Sequence, residues 1–257
     1  MKAIHRILNP GVFDSSAGER CALAVMTKAP RAGQVKTRLI PPLTPDEAAG
    51  LNICFLRDTA AAIAAAAGEV VRGIAVYTPV GAESAYIDIL PLDFEFVAQR
   101  GDKFGERLAC AAKDLFQIGF QSVCLIDSDS PTVPANVYAE AARLLSNPGD
   151  RVVLGPADDG GYYLIGMKQN HCRLFDGIDW STERVLDQTM KRAAELKLTV
   201  ELLPTFYDVD DGATLGRLCT DLLDAKSTLA SDVAPQTRAF LRGIIQREGR
   251  GRIWPAL

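Results

Sequence analysis

The segment ALAVMTKAPRAGQVKTRL, residues 22–39, decides the reading of the chain. An apolar run of strand length, ALAVMT from 22, passes directly into a loop carrying Lys28, Gly33, Lys36, Thr37 and Arg38. In an open α/β sheet, ligands bind at the carboxyl ends of the strands, so a basic loop in that place faces a binding crevice. Gly33 permits close approach of the backbone to a ligand, the cations suit phosphate oxygens, and Thr37 adds a hydroxyl donor. The segment departs from a P-loop, since that motif requires a glycine immediately before the lysine and Val35 stands before Lys36. Taken alone, the segment is also readable as a solvated basic turn before a helix.

Working outward, strand-length apolar runs recur with helical stretches between them, as a parallel sheet covered on both faces requires. Further strands are expected at VRGIAVYT from 71, DFEFVAQ from 93, SVCLIDSD from 122, RVVLGPA from 151, GYYLIGM from 161 and TVELLP from 199. The first helix has Thr44 as cap, Pro45 at its first position and Glu47 three residues beyond the cap, and its alanine-rich stretch runs to Ala67. Other helices are expected over 105–118, 134–146, 181–196, 213–226 and 235–247. The short GPADDGG segment, 155–161, joins two apolar runs closely enough for antiparallel pairing, which makes the sheet mixed. Residues 1–18 read as a loosely held extension and 19–257 as a single domain.

Three acidic clusters follow strand candidates. LIDSDSP places Asp127 and Asp129 at a strand end, where two carboxylates one residue apart suit a hard divalent cation that also holds a diphosphate, or a turn before Pro131. GPADDGGYYLIG carries Asp158 and Asp159, readable as a tight turn or as a general base. FYDVDD holds Asp208, Asp210 and Asp211, readable also as helix capping. With only two histidines in the chain, His5 and His171, a histidine triad or histidine-rich metal site has little material. Carboxylates and cations remain, a combination suited to transfer from a nucleotide diphosphate.

Composition bounds the partners. The 257 residues carry a formal charge of -4, which gives no general attraction to nucleic acid or to an anionic membrane. Six cysteines lie in apolar stretches without a CxxC pair, so they read as reduced core thiols of a cytoplasmic protein. No run is expected to be long and apolar enough to cross a bilayer. The terminal GRGRIWPAL offers Trp254 and Leu257 for packing on the domain or on a neighbouring subunit.

The ordered set KAPRAGQVKTRL, GDKFGERL, DSDSP, GPADDGGYYLIG, DWSTERVL and YDVDD resembles a family of small GT-A-type glycosyltransferases, also described as radical-SAM/selenodomain-associated transferases, from about Ala22 to Leu215. The resemblance implies a Rossmann-like three-layer α/β/α nucleotide-diphospho-sugar transferase fold with a mostly parallel, mixed central sheet. It also implies a divalent cation, Mg2+ or Mn2+. Gly33, Lys36 and Arg38 match the family's Gly-x-x-Lys-Thr-Arg pattern for the nucleotide, with Lys28 and Thr37 beside them. Asp102, Gly105 and Arg107 match a further motif near the nucleotide. The family's Gly-Thr-Asp-Cys-Pro aligns its acid with Asp129 and puts Asp127 where glycine is typical; Asp210 is the second expected metal ligand. The implied activity is metal-dependent glycosyl transfer from a nucleotide-diphosphate sugar to an acceptor; the acids of the GPADDGG turn, Asp158 or Asp159, are the expected base for it. The alternatives are nucleotidyl transfer from an NTP to a phosphorylated small molecule, and nucleotide binding without catalysis.

Overall fold

The computed structural model describes residues 5–66, 68 and 70–254. Seven strands form one sheet: β1 (Cys21–Lys28), β2 (Val71–Thr78), β3 (Glu95–Ala98), β4 (Ser122–Ile126), β5 (Arg151–Pro156), β6 (Tyr162–Met167) and β7 (Thr199–Leu202), in the order β3-β2-β1-β4-β6-β5-β7. β1 runs parallel to β2 and β4, β2 to β3 and β5 to β7, while β6 is antiparallel to both β4 and β5. The expected mixed sheet and its β5–β6 hairpin are therefore present, and each expected strand is found.

The buried central strands are near-continuous apolar runs because both faces of the sheet are covered. On one face α1 (Pro45–Ala66) and α3 (Ala135–Ser146) pack through Leu56, Ile63, Val137 and Tyr138; on the other α2 (Phe104–Ile118) and α4 (Val185–Glu195) pack through Leu108, Leu115 and Ala193. A third cluster joins α1 to α5 (Gly212–Leu223) and α6 (Pro235–Glu248). The Thr44 capping box forms as expected: Glu47 N–H donates to Thr44 Oγ1 (3.2 Å) and Thr44 N–H to Glu47 Oε2 (3.0 Å). Ala67 lies outside the described residues.

Three expectations are corrected. The residues from 5 to 18 are held firmly, because Leu8 and Ala17 are buried and Leu8 N–H donates to Phe96 O (2.7 Å) along the β3 edge. Arg72 fastens the same segment through Asp14 and Glu95. Residues 1–4 lie outside the described ones. Helix α4 begins at Val185 rather than 181, since Ser181 adopts a left-handed φ of 64° that no helix admits. Finally, α1 does have the length and mean hydropathy of a membrane-crossing helix, yet it serves here as a core helix, with Leu51, Phe55 and Ile63 buried. Its Asp58 accepts from Gln236 N–H (3.0 Å) and Thr237 N–H (2.8 Å), capping α6. At the other end of the chain Trp254 packs on the domain and donates to Thr220 Oγ1 (2.9 Å); Leu257 lies outside the described residues. The six cysteines are unbridged, although Cys172 is exposed rather than in the core.

Candidate active site

The loop after β1, the turn after β4, the β5–β6 turn and the segment after β7 meet at one end of the sheet. The antiparallel course of β6 brings its first residues to the carboxyl ends of β4 and β5. Two backbone bonds tie these pieces together: Val209 N–H to Asp129 O (3.0 Å) and Asp127 N–H to Tyr163 O (2.9 Å).

At their junction stands Lys36, with a left-handed φ of 47°. Its Nζ lies 2.8 Å from Asp129 Oδ1, 3.0 Å from Asp210 Oδ1 and 2.7 Å from Val209 O. The lysine side chain is 4% exposed, against 32% and 45% for the two carboxylates, so the cation is the buried member of the triad. Burial opposes its charge, but Asp129 and Asp210 outweigh that and hold its pKa above the ordinary value. Asp127, half-buried beside them, accepts from Ser130 Oγ (2.7 Å). Burial, with the Asp129 charge second, pushes its pKa up to about 8. Asp208 rises to about 6 through burial and the charges of Asp159 and Asp210. The site thus holds more negative charge than its own cations neutralise.

Two cavities share this junction as part of their walls. The smaller, about 270 Å³, is lined by the basic loop: Lys28, Gln34, Lys36, Thr37 and Arg38, with Asn52 at its wall. The larger, about 470 Å³, is lined by Asp127, Asp159 and Asp208 and by the rings of Phe104, Tyr162 and Trp180. Arg38, Ser128, Asp129 and Asp210 border both.

The structure brings most of the sequence-derived residues together. Lys28 Nζ donates to Gln34 O (3.1 Å), closing the basic loop. Gly33 takes a φ of 72° and has open space where a side chain would project. Asp127, Asp129 and Asp210 border the larger cavity, and Asp159 lines it with Oδ1 fixed by Gly161 N–H (2.8 Å). Asp158 turns away into an ion pair with Arg217, whose guanidinium lies 3.7 Å over the Tyr207 ring. Asp102 and Arg107 are not among the lining of either cavity; Arg107 donates to Gly101 O (3.3 Å) and Asp102 O (3.0 Å), closing its own turn. Asp211 caps α5 through Thr214 N–H (2.8 Å), the capping reading of its motif. Asp208, read from the sequence only as part of the FYDVDD cluster, lines the larger cavity, whereas sequence reasoning did not single out Trp180 or Asn52 as site residues. Only Trp180 left a signal there, a large ring within the polar stretch DWSTER.

The donor set fits a hard divalent cation that takes one or two carboxylates from the protein and its other ligands from substrate phosphates and water. Asp129 and Asp210 already converge on one positive charge, and among the described residues no hydrogen bond reaches Oδ2 of either. Also among the described residues, no three acidic, histidine or cysteine side chains assemble into an all-protein metal cage.

Residues 59–182 match the family described as "Uncharacterized protein conserved in bacteria (DUF2064)". The structure is similar to that of a protein from Desulfovibrio desulfuricans G20 described as a "putative nucleotide-diphospho-sugar transferase", with 30% identity and a TM-score of 0.76 over 90% of this chain and 98% of that one. It also resembles CMP:2-keto-3-deoxy-manno-octonic acid synthetase complexed with CTP, at 10% identity and a TM-score of 0.51 over 77% of this chain and 96% of that one, a likeness of fold alone. No curated protein matches the sequence. The α/β fold is that of the nucleotide-diphospho-sugar transferase structures.

Proposed function

The chain belongs to one family with the Desulfovibrio protein, and from this premise we propose that it is a divalent-cation-dependent transferase moving a glycosyl group from a nucleotide-diphosphate sugar to an acceptor. The observation that carries the reading is the Lys36–Asp129–Asp210 triad on the border between a basic cavity and an acidic, ring-walled one. Donor and acceptor then occupy adjoining cavities and meet at the triad.

The basic cavity takes the donor's diphosphate through Lys28, Arg38 and the Thr37 hydroxyl, with the open backbone at Gly33 allowing close approach. Asp129 and Asp210 hold the cation, Mg2+ or Mn2+, which when bound supplies charge neutralisation to the leaving diphosphate. Lys36 keeps both carboxylates oriented and adds a fixed positive charge beside the leaving oxygens. In the transfer, the bond from the anomeric carbon to the diphosphate oxygen breaks and one to an acceptor hydroxyl oxygen forms. Asp159 takes the hydroxyl proton: it lines the acceptor-side cavity, whereas Asp158 is already paired with Arg217.

The test is a thermal-shift screen against nucleotide-diphosphate sugars and nucleoside triphosphates, with and without Mg2+ or Mn2+, since a ligand that binds only the native state raises its stability. A metal-dependent rise with one nucleotide sugar, lost in Asp129→Asn and Arg38→Ala, supports the reading. A rise with triphosphates alone replaces glycosyl by nucleotidyl transfer, and no rise with either class removes both. Asp159→Asn is expected to keep the shift and lose product formation.

A further inference from the structure

The two cavities differ in charge and in surface. The ionisable lining of the larger one is Asp127, Asp129, Asp159, Glu183, Asp208 and Asp210 against Arg38 alone. The smaller one sets Lys28, Lys36 and Arg38 against Asp129 and Asp210. A divalent cation at Asp129 and Asp210 still leaves the carboxylates of Asp159, Glu183 and Asp208 facing whatever enters the larger cavity, with Asp127 holding its proton at neutral pH. Like charges in a confined, partly desolvated space repel strongly, so a phosphate or carboxylate group is excluded there.

That cavity's wall also carries three packed rings among aliphatic side chains such as Met26, Leu108 and Val185. Phe104 and Trp180 meet edge to face, with centroids 5.1 Å apart and planes at 74°, and Tyr162 meets Trp180 at 6.4 Å and 79°. Phe104 remains 52% exposed. Trp180 is seated by design of the backbone around it: a Cβ on Gly105 would lie 2.5 Å from its indole nitrogen. The loop carrying it is pinned at Gly160, whose φ is 89° and whose missing Cβ would fall 2.1 Å from Glu183 O; Leu186 N–H donates to Gly160 O (2.8 Å).

We propose that Phe104 and Trp180 form the platform on which the acceptor rests, and that the acceptor is a molecule without phosphate or carboxylate that presents a flat apolar face to these rings. The inference rests on the reading of the smaller cavity as the donor site. Ring faces reward a flat apolar partner, and the acids admit a hydroxyl group while rejecting an anion.

Benzyl alcohol and benzyl phosphate, which share a ring and differ in charge, test it by titration calorimetry on the full chain in magnesium-containing buffer with saturating pyrophosphate, which keeps the basic cavity filled so that only the larger cavity is read. Benzyl alcohol is expected to bind at least about tenfold more tightly than benzyl phosphate. Trp180→Ala and Phe104→Ala are each expected to weaken it by roughly tenfold, and Trp180→Phe to restore most of the loss. Phe104 is exposed, so its replacement leaves the core intact even if the Trp180 loop suffers. Equal or tighter binding of the phosphate, no binding of the alcohol, or binding indifferent to both ring deletions would overturn the proposal. Nucleotide binding is read separately at the basic loop. Its loss with the alcohol still bound sinks the donor reading alone, and its persistence with no alcohol bound sinks this inference alone.

Discussion

Replacing Lys36 by methionine keeps most of the side chain's volume and removes the charge that Asp129 and Asp210 share. Removing one partner of a fully buried ion pair costs about 3–5 kcal/mol, because an uncompensated charge is left behind. Here the stranded carboxylates are 32% and 45% exposed and regain part of their hydration, while the lysine they lose was 4% exposed. The contact to Val209 O also disappears. The balance is a loss of about 2 kcal/mol in metal-free buffer. Urea unfolding at neutral pH measures it as a lower midpoint with an unchanged slope. The same experiment with added Mg2+ or Mn2+ is more telling. In the variant the two carboxylates have no internal cation, so metal is expected to raise its stability more than that of the parent. A Lys36→Met chain as stable as the parent, or one stabilised by metal no more than the parent, would refute the claim that this lysine and a divalent cation act on the same carboxylates.

Asp127 makes a pH prediction. Its native pKa is about 8 against an ordinary 3.8, so between these values the folded chain binds the proton that the unfolded chain has released, and raising the pH favours unfolding. Metal-free stability should therefore fall from about pH 5 to pH 8 by up to roughly 1 kcal/mol per unit from this group, and Asp127→Asn should flatten that slope in urea titrations. Asp58→Ala removes the cap that two α6 amides share and should cost about 2 kcal/mol, measured by thermal unfolding followed by circular dichroism. Gly160→Ala combines a left-handed φ with a collision against Glu183 O; a loss of at least about 2 kcal/mol, or on the order of 5 °C in Tm, is expected by calorimetry.

The strands were legible because a sheet covered on both faces demands unbroken apolar runs, and ALAVMT, VRGIAVYT and SVCLIDSD could be little else. The first helix was legible through Thr44 and Glu47, whose capping is local. So was the tight turn that makes β5 and β6 antiparallel, since seven residues leave no room for a crossover. What sequence by itself determined is the set of elements, their order and the carboxyl-end position of the basic loop and the acidic clusters, all consequences of interactions within a few residues.

Tertiary structure alone decided what each charge does. Asp158 and Asp159 are chemically identical neighbours, and only the approach of Arg217, 59 residues away, turns one of them out of the cavity. Lys36 meets its second carboxylate across 174 residues, so its part in holding Asp129 and Asp210 has no local signature. The raised pKa of Asp208 comes from burial and from acids on other segments. The residues from 5 to 18 are held by the β3 edge and by Arg72, neither adjacent in the chain. Electrostatic and packing energies depend on distance in space, whereas a sequence records only distance along the chain; the elements follow from the second and the site from the first.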